Sequence, residues 1–295
     1  MRPSRPVRIA LHFANLVTIA FFLLPIITAV IGSFESEKTL RADTRAVLPS
    51  EWTLDNFRVL LSGGAPSSGS IYDQATYLPD NVKKIRYALA NSTIIAVSVT
   101  ILTLVFGSLS ALTVARLRFR WLGWLMNINV FARFVPVIVL MIPLYMTFRR
   151  LDLLNSVWGV IIAETGFLLP YGVLILAPYF AALPHELDEA ARIDGCSRFI
   201  AFLRITLPLS TPVLASYGAI VFIVAWNDLL TPLILNNRAE FMTLPVVVAS
   251  LVGDMNVFFS LMMAICLVAM APSVILVLLL QKFVVRGLAA GAVKG

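Results

Sequence analysis

Long apolar stretches alternate with shorter polar connections along the whole chain. Six stretches, at about 9–31, 88–115, 121–147, 157–180, 209–235 and 258–283, reach the roughly 17–25 residues that an α-helix needs to cross a bilayer. The pattern predicts an all-α fold, a polytopic membrane bundle of six transmembrane helices, read as one domain over residues 1–295. Pro25, Pro136, Pro143, Pro170, Pro212 and Pro272 fall within the stretches. Membrane bundles tolerate such prolines where neighbouring helices or water take up the freed backbone groups. Kinked helices around a pathway and ordinary membrane-helix composition both account for them.

The polar connections differ in character. Residues 32–87 form the longest, with a short helical stretch at 53–61 and a Ser/Gly/Pro-rich linker at 62–70. It is too small and too poor in core residues to fold as an independent domain. Residues 181–208 read as two short helices around a corner. Pro184 fits a first helical turn, and Glu186, Asp188 and Glu189 suit the positive end of the helix dipole. Ala190 and Ala191 are small enough to let another surface approach the backbone. Gly195 supplies a left-handed stop, Ser197 caps a second helix over 198–206, and Pro208 ends it as the fifth span begins. A helix pair lying on the bilayer would favour a continuous apolar stripe and a basic polar face. The first helix is instead acidic with small residues, which suits a protein groove better.

Composition supports the membrane class. The chain is 59% hydrophobic and 13% charged, with a mean hydropathy of +0.90, whereas soluble domains lie near half apolar and a quarter charged. The net charge of +7 raises nucleic-acid binding, but the basic residues are spread over helix ends and loops, so no nucleic-acid partner is expected. Cys196 and Cys266 have no metal-type spacing and read as incidental thiols. Arg2, Arg5 and Arg8 precede an apolar run too long for the roughly 7–15 residues of a signal-peptide core, so the run is read as a retained first span.

With six spans, both termini share a side with Arg116, Arg118, Arg120, Arg192, Arg198, Arg204, Lys282, Arg286 and Lys294. The short loops opposite carry only Arg149, Arg150 and Arg238, which places the termini inside. The long loop adds Lys38, Arg41, Arg45, Arg58, Lys83, Lys84 and Arg86 and nearly cancels that vote.

Within the spans, Arg133 and Glu164 are the deep basic and acidic residues. Intramembrane ions usually face a partner or water, so the two are expected to pair or to line a polar cavity. Asn227 and Asp228, toward the outer half of span five, are candidates for a pathway or gate, with polyol contact and a structural role both open. No G-x-x-x-x-G-K-[ST] phosphate loop occurs. His12 and His185 lack a nucleophile arrangement. The chain is therefore read as a non-enzyme with no metal site; a lipid-modifying membrane enzyme would need paired acidic metal ligands or a nucleophile near an interface, and the sequence shows neither.

The 181–208 connection carries Glu189-Ala190-Ala191, then Gly195 after three residues, then Ile205, Leu207 and Pro208. This spacing resembles the cytoplasmic coupling loop of permease subunits of ABC importers. Trp52 to Phe57, Ala90-Asn91-Ser92, Ile142 to Tyr145, Leu153-Leu154-Asn155, Trp226-Asn227-Asp228, Thr243-Leu244-Pro245 and the closing Gly287 to Gly295 are similar to segments of maltose-type permeases. The resemblance covers nearly the whole chain and implies the six-span permease subunit of a carbohydrate importer in a bacterial inner membrane. It further implies a second, unlike permease subunit, a dimeric ATPase that uses ATP and Mg, and an extracytoplasmic solute-binding protein. No cofactor is expected on this chain itself. ATPase coupling is then assigned to Glu189, Ala190, Ala191, Asp194, Gly195, Ile205, Leu207 and Pro208, with residues 281–295, which include the tail at 284–295, as a weaker contact. Because ATP is cytoplasmic, this loop and both termini are placed in the cytoplasm. A solute other than a neutral sugar, such as glycerol phosphate or a uronate oligosaccharide, is the alternative cargo.

Overall fold

The computed structural model describes residues 5–42, 48–49, 51–62, 84–117, 121–252 and 258–292, with the backbone alone at Arg5, Leu125, Val252 and 283–292. Most of the expected linker at 62–70 lies outside these residues, as do Arg2, Arg45, Lys83, Arg118, Arg120 and Lys294. Among the described residues every regular element is helical.

In chain order the helices are α1 (Arg5–Ser33), α2 (Glu37–Ala42), α3 (Asp55–Leu61), α4 (Ile85–Arg116), α5 (Leu122–Ala132), α6 (Val137–Arg150) and α7 (Val157–Ala182). They continue with α8 (Glu186–Ile193), α9 (Arg198–Ala201), α10 (Leu207–Leu209), α11 (Thr211–Trp226), α12 (Leu230–Leu235), α13 (Leu244–Val252) and α14 (Phe259–Ala292). Four of them, α1, α4, α7 and α14, are long and apolar enough to cross a bilayer alone. Two further spans exist if each bent pair counts as one: α5 with α6, bent by 97°, and residues 198–209 with α11, bent by 79°.

The bends correct two of the expected kinks. Pro136 is the extended N-cap of α6 (φ −61°, ψ 129°) and Pro212 lies in the first turn of α11. Proline lacks the N–H that a helix interior needs but loses nothing at a helix start. The fifth span is shorter than expected, since α11 ends at Trp226 and three residues separate it from α12. The expected tail at 284–295 is helical up to Ala292, as the end of α14. At 34 residues, α14 is about 51 Å long, well beyond the roughly 30 Å hydrocarbon core.

The chain forms two compact units. The first comprises residues 1–86 and 247–271. Its centre is polar. Asn56, fully buried, donates to the carbonyls of Ser33 (2.7 Å) and Glu35 (2.9 Å). Glu37 accepts from the backbone and hydroxyl of Ser260 at 2.9 and 3.0 Å. The Asn56 bonds satisfy backbone carbonyls where α1 gives way to α2, and Glu37 satisfies a backbone N–H at the start of α14, as burial requires.

The second unit comprises residues 87–246 and 272–295. Tyr217, Phe180, Ile95, Ile161 and Leu176 are buried in its core. α7 and α11 approach closely because Gly172 has no side chain: a Cβ there would lie 2.8 Å from the Tyr217 hydroxyl, which donates to the Leu168 carbonyl. Exposed Trp121 and Trp124 open α5, and exposed Trp158 opens α7, positions that suit membrane interfaces.

At the start of α7 the polar loops of this unit are tied together. Asn155, at φ 51°, accepts through Oδ1 from the backbone of Asn237 (2.7 Å) and Arg238 (2.9 Å). Its own N–H donates to the Leu235 carbonyl, and the Ser156 N–H donates to Asn236 Oδ1. From α4, Asn91 donates to the carbonyls of Glu240 and Met242, and Ser92 accepts from the Leu244 N–H.

Candidate functional site

At the other end of α7 the chain turns into α8. The His185 carbonyl accepts from the N–H groups of Asp188 (3.0 Å) and Glu189 (3.1 Å), opening a helix whose first turn carries Glu186, Asp188 and Glu189. These acids lie at the positive end of the helix dipole. Pro184 precedes this turn rather than occupying it, since the first helical residue is Glu186.

α8 ends in a Schellman motif. The Cys196 N–H donates to the Ala191 carbonyl (2.9 Å) and the Gly195 N–H to the Arg192 carbonyl (3.1 Å). Gly195 sits at φ +82°, a conformation that costs an L side chain roughly 1–2 kcal/mol. A Cβ at Gly195 would meet nothing within 4 Å. Backbone conformation, not crowding within this chain, demands the glycine.

Ser197 then accepts from the Ile200 N–H at 3.3 Å and caps α9. The helix does not end at Pro208 as expected. It passes through a π-helical turn at Phe202–Thr206, where the Leu207 N–H donates to the Phe202 carbonyl, and continues to Leu209. Pro208 has no N–H to offer the preceding turn, and the wider turn accommodates that loss. The break comes at Ser210.

The residues of the motif divide between two faces. Ala191 is buried, whereas Glu189, Ala190, Asp194 and Gly195 are exposed, so the two alanines do not share one docking face. Ile193 is 86% exposed at the tip. Ile205 and Leu207 are half-buried and Pro208 is exposed. Phe202 is buried and meets Phe180 edge-on at 6.1 Å, which seats the second helix against the end of α7.

Arg116, on the last turn of α4, links this loop to the spans. Its guanidinium donates to the Leu183 carbonyl through both terminal nitrogens (3.3 Å each) and lies 2.8 Å from His185 Nδ1. Nε is 2.9 Å from Asp188 Oδ2, an ion pair that is too oblique for a straight N–H···O bond. A cavity of about 420 Å³ opens beside it, lined in part by Leu112, Arg116, Asp188, Phe199 and Phe202. Sequence reading counted Arg116 only as a positive charge at a span end. The signal that could have found it was an arginine closing one span and an acidic turn following another.

The structure does not bring Arg133 and Glu164 together. Arg133 caps the end of α5 at the bend, is exposed, and stacks 3.4 Å above the Tyr171 ring. Tyr171 lies seven residues beyond Glu164 on α7, about 10 Å along the helix. Glu164 is 3% exposed and neither carboxylate oxygen has a hydrogen-bond partner. Its electrostatic neighbour is Asp228, across from α7 at the α11–α12 break. Asp228 also accepts from the Leu230 N–H, and Asn227 donates to the Ile223 carbonyl, so both shape the break. Among the described residues no cluster of three or more His, Cys, Asp or Glu could hold a metal.

Residues 78–290 match the family described as binding-protein-dependent transport system inner membrane component. The trehalose/maltose transport system permease protein MalG of Thermococcus litoralis is 33% identical over 299 residues, covering the whole of both chains. The sulfoquinovosyl glycerol transport system permease protein SmoH of Agrobacterium fabrum is 30% identical over 273 residues, 92% of this chain and 89% of that one. The fold is shared with a chain in the crystal structure of a bacterial ABC transporter involved in import of the acidic polysaccharide alginate, at TM-score 0.77, 22% identity, and coverage of 96% of this chain and 99% of that chain. These relatives are transport subunits rather than enzymes, and the apolar helices are those of a multi-pass membrane protein. The chain belongs to the family of binding-protein-dependent transport system inner membrane components.

Proposed function

We propose that this chain forms half of the translocation pathway of an ATP-driven carbohydrate importer and is driven through the loop at 183–209. A second, unlike permease subunit completes the pathway. A dimeric ATPase below it uses ATP with Mg, and a solute-binding protein delivers cargo from the opposite face. The loop and both termini then lie in the cytoplasm. The observation that carries the coupling role is the corner of α8: Ile193 is 86% exposed and Gly195 has open space beyond it. Leu187, Phe199 and Ile200 on α8 and α9 are exposed as well, and apolar surface grouped in this way suits a protein groove. ATP-driven closure of the ATPase dimer would displace α8 and open the pathway outward, with hydrolysis resetting it.

Gly195→Trp in the assembled complex tests this. Solute-loaded binding protein is expected to stimulate its ATP hydrolysis far less than in wild type, while the subunit itself still folds. Normal assembly and normal stimulation would show the coupling reading to be wrong.

Neutral and acidic sugars both appear among the names of the relatives, as trehalose and maltose on one side and sulfoquinovosyl glycerol on the other. A charged-sugar cargo is the second reading, favoured by the exposed Arg133 guanidinium on Tyr171. An intramembrane cation facing out of its own chain needs water or an anion. Thermal stabilisation of the binding protein by trehalose or maltose, and not by galacturonate oligosaccharides, would retire that second reading.

A further inference from the structure

We infer that Arg116 is the joint through which movement of α8 reaches the spans, a positioning residue outside the recognised loop motif. The inference rests on the coupling reading above. Among the described residues, every side-chain hydrogen bond or ion pair between residues 183–193 and the spans passes through this one guanidinium. Apolar packing between α8 and the spans is sparse: Ala191 is the one buried residue of α8, and a cavity of about 420 Å³, lined in part by Leu112 and Phe202, opens beside the helix.

Three helices therefore meet at a single side chain: α4, which carries Arg116; α7, which ends at the Leu183 carbonyl; and α8, which supplies Asp188. The Arg116 side chain is only 12% exposed, so its ionic contacts are poorly screened by water. Arginine suits the position because a planar fork holds two acceptors in fixed directions, which the single ammonium of lysine does not. The other route out of α8 is compliant. It runs through the π turn at Phe202–Thr206 and the 79° bend before α11, both features at which helices yield. A push on α8 is absorbed along that route and transmitted through Arg116.

The test uses the complete complex in proteoliposomes, with ATPase, second permease subunit and binding protein present, and measures solute taken up per ATP hydrolysed. Arg116→Gln, Arg116→Lys and Asp188→Asn are expected to hydrolyse ATP while uptake per ATP falls by roughly tenfold or more, within the range of allosteric coupling terms. The lysine variant is the discriminating one, since a residue needed only for its charge would tolerate it. Unchanged uptake per ATP in Arg116→Lys and Asp188→Asn overturns the joint. Failure of all three variants to assemble also overturns it, because Arg116 is then a structural support only. Gly195→Trp serves as reference. If it uncouples while the Arg116 and Asp188 variants do not, the joint alone fails; if it couples normally, the underlying reading fails.

Discussion

α7 is fixed in a different way at each of its ends. At its start, Asn155 and Ser156 exchange hydrogen bonds with residues 235–238, and Asn91 and Ser92 hold residues 240–244 from α4. All but the Asn155 N–H to Leu235 carbonyl bond are short, uncharged bonds between side-chain amides or hydroxyls and the backbone, and several partners are buried. At its far end the polar link to α8 is one guanidinium, reaching a helix whose residues are mostly exposed. Phe180 and Tyr179 hold only the second loop helix, through the ring of Phe202 and the Leu209 carbonyl. Backbone clips define a loop to within the tolerance of a hydrogen bond and resist being moved as a group. A single guanidinium between α8 and the spans, beside a cavity, permits rotation about the contact. One end is built to stay in place and the other to be pushed.

Substitutions can break this contrast. Asn155→Ala is expected to have the largest effect. It removes an acceptor for two backbone N–H groups and leaves alanine at φ 51°, a loss of about 2–4 kcal/mol in stability. It should appear as a lowered thermal midpoint of the purified subunit, while assembled complexes keep their uptake per ATP. Ser197→Ala removes the cap of α9 and should cost about 1 kcal/mol, read as faster hydrogen exchange confined to residues 198–206. Ile193→Ser should leave stability within about 0.5 kcal/mol, since the side chain touches little of its own chain, and weaken only ATPase binding, measured by co-purification at rising detergent concentration. A drop in thermal midpoint for Ile193→Ser comparable to that of Asn155→Ala would erase the distinction between the two ends.

Four of the spans and the corner were legible in the sequence because each depends on local chemistry. Apolar length sets the spans, a left-handed residue sets Gly195, and a hydroxyl before a helix sets Ser197. The polar clips were not legible, because they are long-range: Asn91 and Glu240 are 149 positions apart. Asn91, Ser92 and Asn155 were visible only as members of resembling segments, with no physical role attached. The expected pairing of Arg133 with Glu164 failed because Pro136 starts a new helix. The resulting bend carries Arg133 to the surface and onto Tyr171. Arg116 escaped notice because its partners, Leu183 and Asp188, are 67 and 72 positions away.

The unbroken course of α7, with Pro170 and Pro178 inside it, has a practical consequence. Twenty-six residues make it a rod of about 39 Å, anchored at one end and jointed at the other. Paired spin labels at its two ends would act as a ruler whose reading stays constant through the transport cycle. Against that fixed length, a third label on α8 would register the ATPase stroke as a change of distance inside a single subunit.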